Sequence, residues 1–199
     1  MKEIDARGLA CPAPVLQTKA ALQEAPTDQI GVVVDNAASQ QNVQRFLESQ
    51  GFTATLEKRG DDYLVVGTGD PEAAAAAPPV ARRPLAGRQK ILVMCATDRM
   101  GEGDEDLGRK LMVNYIRTLG EMGADLWRLI FVNNGVKLTV AGSAVLGELQ
   151  QYEAAGLKIL VCGTCLDHYG LLERKKVGET TNMLDIVTAM QLADKAINL

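Results

Sequence analysis

Residues 70–90, DPEAAAAAPPVARRPLAGRQK, interrupt the hydrophobic periodicity with a run of five alanines, Ala73–Ala77, set among prolines. Such a stretch offers no amphipathic face to a core. The chain therefore reads as two modules, residues 1–70 and 90–199, with residues 71–89 as an Ala/Pro-rich linker. As a coil this linker would span roughly 25 Å r.m.s. and at most about 70 Å extended. Acidity is concentrated before it: up to residue 77 six Lys+Arg face eleven Asp+Glu, a net −5, against +1 for the remainder.

In the first module a strand is expected near Lys2–Asp5, then a helix from Pro12 to about Glu24 and a β-branched strand Ile30–Asp35. A second helix, about Ala38–Gln50, is stopped by Gly51, and strands Phe52–Lys58 and Tyr63–Val66 flank the turn Gly60-Asp61-Asp62. The order βαβαββ suits a two-layer sandwich with both helices on one face of a four-stranded sheet. At the start of the first helix stands Cys11-Pro12-Ala13-Pro14. Proline is tolerated in a first helical turn, because its missing N–H would have no partner there. With Pro12 at the first helical position, Cys11 becomes the N-cap, and Ala13 the amide donor to its sulfur, since Pro14 has no N–H. A cysteine so placed faces the positive helix end, which favours thiolate and lowers its pKa below the usual value of roughly 8.5. Cys11 is thus a candidate nucleophile, with plain capping as the alternative.

The second module opens with the apolar run Lys90–Cys95, of the kind found in a central parallel strand. Expected after it are a helix at about Leu107–Glu121, strand Leu126–Val132, helix Ala144–Ala154, strand Lys158–Cys162 and a short helix past Cys165. A possible strand near Lys176–Glu179 and a helix Met183–Ala196 complete it. This alternation describes a flavodoxin-like open, mostly parallel sheet with helices on both faces, whose sites lie beyond the carboxyl ends of the strands. Three loops qualify: Ala96–Asp106, Asn133–Ser143 and Gly163–Tyr169.

The last of these follows Cys162 and carries Cys165 and His168, the one histidine of the chain. A C-x-x-C beside a βαβ pattern suggests a thioredoxin-like dithiol, although no proline occurs after Pro84 to face it. A structural zinc site needs four ligands, and would have to add the remote Cys95 to Cys162, Cys165 and His168. In the favoured reading Cys162 is core, Cys165 is the exposed reactive thiol, and Cys162 stays a second candidate. His168 either lowers the Cys165 pKa or is a surface residue. The acidic stretch Asp98–Asp106 makes a poor phosphate loop, with one G-x-G and carboxylates that would repel the ligand; acidic residues at a helix start are ordinary dipole complementation.

No run approaches the roughly 20 apolar residues of a membrane span, and the opening MKEIDAR is unlike a secretory leader. A cytoplasmic protein is expected. Its four cysteines read as free or catalytic thiols rather than a disulfide framework, and a net charge of −4 argues against nucleic acid as the main partner. Neither a cofactor nor a metal is expected.

Arg7-Gly8-Leu9 followed by Cys11-Pro12-Ala13-Pro14, with the element order of residues 1–70, resembles the TusA/SirA family of sulfur carriers. That resemblance implies that Cys11 takes up sulfur as a persulfide and passes it to a partner thiol. Gly163-Thr164-Cys165-Leu166-Asp167 and the GETTNM stretch, Gly178–Met183, resemble the DsrE-like family of sulfur-relay proteins over residues 90–199. The fused order is similar to the YedF family, linked to selenium metabolism. It implies a sulfurtransferase-type relay of sulfur or selenium between thiols, with a cysteine desulfurase or other donor and acceptor proteins as partners and a homo-oligomer built through the second module. The alternative is a non-catalytic adaptor or small-ligand-binding regulator.

Overall fold

The computed structural model describes residues 2–25, 27–69 and 88–199. The chain divides into two compact units, Met1–Pro84 and Leu85–Leu199. Nearly all of the expected linker, residues 71–87, and the start of the Ala/Pro stretch at Asp70 lie outside the described residues.

In the first unit strands β1 (Lys2–Asp5), β2 (Gln29–Val34), β3 (Thr53–Arg59) and β4 (Asp62–Thr68) form one sheet in the order β1-β2-β4-β3. β1 and β2 run parallel, and β4 is antiparallel to both of its neighbours. The β3–β4 hairpin closes through Gly60 and Asp61, with Gly60 at φ +65°, a conformation glycine adopts without steric cost. Helix α1 (Ala13–Glu24) buries Pro14, Thr18 and Ala21, spaced by four and three residues along one face. Helix α2 (Ala37–Ser49) is capped by Asn36, whose side chain accepts the Ser39 N–H at 2.8 Å, and buries Val43 and Leu47. Ile30, Val32 and Val34, alternate residues of β2, meet these helices in one core with Val65 and Phe52.

The second unit is a five-stranded sheet, every pairing of which is parallel: β5 (Ile91–Cys95), β6 (Leu126–Phe131), β7 (Lys158–Cys162), β8 (Glu179–Thr181) and β9 (Lys195–Asn198), in the order β8-β7-β6-β5-β9. The open parallel sheet is consistent with a flavodoxin-like class, with the chain stepping outward from β5 to β8 before β9 returns to the other side of β5. Helix α3 (Glu105–Thr118) is capped by Asp104, which accepts the Leu107 N–H at 2.7 Å. Glu105 pairs with Arg99 and Arg109, so the acidic stretch serves the helix start and local ion pairs. Helix α4 (Leu146–Ala154), the short α5 (Gly163–His168) and α6 (Met183–Leu192) complete the unit.

Several sequence expectations need correction here. The last helix ends at Leu192 rather than Ala196, and Lys195–Asn198 is a strand, because its backbone finds free partners along β5. The helix expected to reach Glu121 gives way at Thr118 to 3-10 turns over Leu119–Asp125, where Gly123 takes φ +57°. The loop Asn133–Ser143 begins with a 3-10 helix, Asn133–Thr139. No helix among the described residues is long and apolar enough to cross a membrane.

Candidate functional site

Cys11 lies in the loop that leaves the carboxyl end of β1, and it is exposed. The N-cap of α1 is Pro12, not Cys11, and no side chain caps the helix. The physical reason is the occupation of the amide. The Ala13 N–H, the donor expected for the cysteine sulfur, is taken by the Ala10 carbonyl at 2.9 Å, while the Pro12 carbonyl already accepts the Val15 and Leu16 amides. The peptide bond between Cys11 and Pro12 is cis. The sulfur therefore stands one residue outside the helix end, free of the cap that the sequence suggested.

What anchors this loop is an acidic residue from the next crossover. Gly8, at φ +70°, donates its N–H to Asp35 Oδ2 at 2.6 Å, and Asn36 Nδ2 donates to Asp35 Oδ1 at 2.8 Å. These bonds, the Gly8 amide first, hold the Asp35 carboxyl below its ordinary range. Arg7 donates to both Asp5 oxygens, at 2.9 and 2.6 Å, and to Asp62 Oδ2 at 3.1 Å. The Arg7 hydrogen bond lowers Asp5 to about 2, and the two carboxylates raise Arg7 in turn. Because β1 and β2 are parallel, their following loops share one sheet end, and Cys11 follows a stretch fixed by the Arg7 ion pairs and the Gly8–Asp35 hydrogen bond.

The second group of cysteines sits at the carboxyl ends of β5 and β7. Cys95 closes β5 in full burial, which pushes its thiol up to about 12. Cys162, 4% exposed, closes β7 and is the N-cap of α5, without a cap bond from its side chain. Cys165 lies within α5 instead of preceding the helix, and is half-buried rather than exposed. Its sulfur is 2.9 Å from that of Cys162, both being free thiols. The Asn133 N–H donates to Cys165 Sγ at 3.1 Å. Burial chiefly, then the hydrogen bond to Cys162, raises the Cys165 thiol, with the Asn133 amide acting against them. Asn133 stands at φ +47°, which asparagine tolerates better than most residues, and its side chain accepts the Tyr169 hydroxyl at 2.8 Å.

His168 is exposed and packs edge-on against Tyr169, with ring centroids 5.0 Å apart. Lys137 Nζ lies 4.8 Å from the same ring. Tyr169, Lys137, Ser143 and Arg174 line an open cleft of about 400 Å³. A cleft of about 580 Å³ at Trp127, Tyr152 and Lys158 opens at the amino ends of β6 and β7, the far end of the sheet from the cysteines. Among the described residues no three His, Cys, Asp or Glu side chains are grouped to hold a metal ion.

With this geometry established, the comparison with known proteins is decisive for the first unit. The sequence profile of the sulfurtransferase TusA family matches residues 2–68. A sulfur carrier protein of Methanocaldococcus jannaschii is 42% identical over 57 residues, covering 28% of this chain and 76% of that protein. The chain belongs to the TusA family. A solved SirA-like protein of Desulfitobacterium hafniense is similar over 35% of the chain and all of its own length, at 36% identity and a TM-score of 0.32. The ychN protein of E. coli covers 56% of the chain and 99% of its own at 20% identity, TM-score 0.44. A protein of unknown function from Methanobacterium thermoautotrophicum covers 55% and 97% at 19% identity, TM-score 0.41.

The TusA match spans β1, the Cys11 loop and both helices, so the exposed Cys11 lies within the matched segment. Asp35 was not among the residues singled out from sequence. Its position before the cap Asn36 and at the end of a β-branched strand was a usable signal, since Asp at such a junction commonly bonds backbone amides. The Asn133 contact with Cys165 had no such signal beyond its place in a strand-end turn.

Proposed function

We propose that this TusA-family protein is a two-module sulfur or selenium relay: Cys11 accepts the atom as a persulfide or perselenide from a donor such as a cysteine desulfurase, and Cys165 receives it. The observation that carries the reading is the exposed Cys11 in a loop pinned by Gly8–Asp35 and Arg7–Asp5 contacts, within the segment matched to the TusA family. A solvent-facing sulfur on a fixed loop is open to attack and can dock on a partner thiol, whereas Cys95 and Cys162 are buried. In the second module Cys165 is the more accessible thiol of its pair, and an amide already points at it. The tether, read as a linker of about twenty residues, would let the two thiols meet at roughly millimolar effective concentration.

The second module, residues 90–199, resembles DsrE-like proteins and in this reading assembles into a homo-oligomer. Support comes from α6, where Ile186 and Ala189 face inward while Met183, Leu184, Val187 and Met190 are exposed. A helix apolar on both sides is suited to burial against a neighbour.

Mass spectrometry of the protein isolated without reductant tests the relay. An adduct of about 32 Da for sulfur, or about 80 Da for selenium, is expected on the Cys11 peptide. Cys11 recovered only as the unmodified thiol, even after incubation with a desulfurase and cysteine, would favour an adaptor or ligand-binding role.

A further inference from the structure

We infer that Cys162 is a resolving thiol: sulfane sulfur placed on Cys165 is ejected as hydrogen sulfide when Cys162 attacks the Cys165 sulfur and closes a Cys162–Cys165 disulfide. The inference rests on Cys165 as a sulfur-accepting thiol, but not on Cys11 as its source. The two sulfurs are 2.9 Å apart and unbonded. An N-cap side chain reaches toward the third helical residue. Cys162 is that cap and Cys165 that residue, and the Cys162 sulfur meets the neighbouring sulfur instead of an amide. On the other side the Asn133 N–H holds Cys165 Sγ at 3.1 Å, and Asn133 is itself fixed by the Tyr169 hydroxyl. Cys165 is thus held against Cys162 from two directions.

In the persulfidated state Cys165 carries a second sulfur. Cys162, 4% exposed, is screened from external thiols, and the atom its sulfur touches is the inner sulfur of the persulfide. Attack there forms the Cys162–Cys165 bond and breaks the bond to the outer sulfur. That sulfur leaves with the electron pair, and it takes up the Cys162 proton to depart as hydrogen sulfide. The two cysteine sulfurs are oxidised to the disulfide, and the sulfane sulfur is reduced to sulfide, so no outside oxidant is needed. A dithiol reductant, of protein or small-molecule kind, then supplies two electrons to restore the pair. An acceptor thiolate that reaches the outer sulfur first would instead carry it away intact. The pair therefore sets a time limit on the loaded state of Cys165.

The test uses the full chain carrying Cys11→Ala, treated with glutathione persulfide, so that loading does not depend on hand-over from Cys11. The peptide containing both cysteines should lose about 2 Da, with about one equivalent of sulfide released per disulfide formed. Adding Cys162→Ser should leave an adduct of about 32 Da on Cys165 and slow sulfide release at least tenfold. The Cys11→Ala measurement alone suffices should the double variant fold poorly. A stable adduct on Cys165 beside a free Cys162 overturns the inference, as does a disulfide without matching sulfide, or a pair that takes up neither sulfur nor disulfide. Failure of the relay reading looks different: label stays on Cys11 in the native chain while the Cys11→Ala protein still releases sulfide.

Discussion

The Gly8 N–H and the Asp35 carboxylate meet at 2.6 Å, tying the loop that carries Cys11 to the start of α2. Gly8 sits at φ +70°, so the amide is presented by a backbone conformation that a side chain would strain. Asp35→Ala should leave the fold intact and free this loop. Amide exchange at Gly8 should rise several-fold, with a smaller change at β2. Unchanged exchange at Gly8 would show that the loop is held by other contacts.

Among the described residues of the first unit Asp5 is the most shifted carboxylate, held at about 2 by the Arg7 hydrogen bond. A carboxyl lowered in the folded state contributes stability above its unfolded pKa of roughly 3.9, and that contribution disappears as pH falls through the folded value. The window for Asp5 is therefore about pH 4 down to about 2. Carbon-13 NMR of the side-chain carboxyl should place its midpoint near the bottom of that window. Arg7→Gln should return it toward the ordinary 3.8. A midpoint that stays low in the variant would assign the shift to another partner.

Much of this architecture was legible because its signals are local. Ile159–Cys162 and Ile91–Cys95 are apolar throughout, as strands buried on both faces must be, and Lys2–Asp5 matched the observed strand end to end. What escaped was set by partners far away in sequence. Lys195–Asn198 looks like the tail of α6 and becomes a strand only by pairing with β5, about a hundred residues earlier. The capping role assigned to Cys11 failed on one hydrogen bond, Ala13 to Ala10, which no residue pattern announces. The two sulfurs of Cys-x-x-Cys could be foreseen as neighbours, but the Asn133 amide on Cys165 comes from 32 residues away, through the packing of one strand-end turn on another.

That packing is tight at Gly135. A Cβ added there would lie 2.0 Å from the Cys95 carbonyl oxygen, a backbone atom with no freedom to retreat. Gly135→Ala should destabilise the second unit by about 2 kcal/mol or more, and displace the turn that carries Asn133. Gly147, in α4, has open space at the same position, and Gly147→Ala should be neutral or stabilise by up to about 1 kcal/mol. Denaturation followed by the single tryptophan, Trp127 on β6, separates the two. Equal stability of the variants would remove the argument that this turn is seated on the end of β5.

Thiol reactivity should follow exposure. Cys11 is exposed, Cys165 half-buried with its thiol raised, and Cys162 and Cys95 are buried, the latter pushed up to about 12. Time-resolved iodoacetamide labelling at neutral pH should modify Cys11 first, Cys165 more slowly, and Cys95 only on unfolding. Raising the pH to about 9 should accelerate Cys165, because its thiolate is scarce at neutrality. A Cys165 that outpaces Cys11 at pH 7 would shift the point of sulfur entry to the second module.

The exposed side of α6 carries an apolar surface that offers a test of self-association. Met183, Val187 and Met190 recur at four and three residues, the spacing of one helical stripe, and Leu184 beside them is 75% exposed. Ile186 and Ala189, on the adjoining face of the helix, already supply the contact with the module's own core, so folding of the monomer does not require the exposed residues. An apolar stripe left open in this way is well suited to a second copy of the chain, since two such helices bury each other's surface. Light scattering of the full chain should report an oligomer. Leu184→Glu, which places a charge on that stripe without touching Ile186, should shift it toward monomer with circular dichroism unchanged. A wild-type chain that is monomeric at high micromolar concentration would rule out self-association through α6, and an oligomer indifferent to Leu184→Glu would place the contact elsewhere.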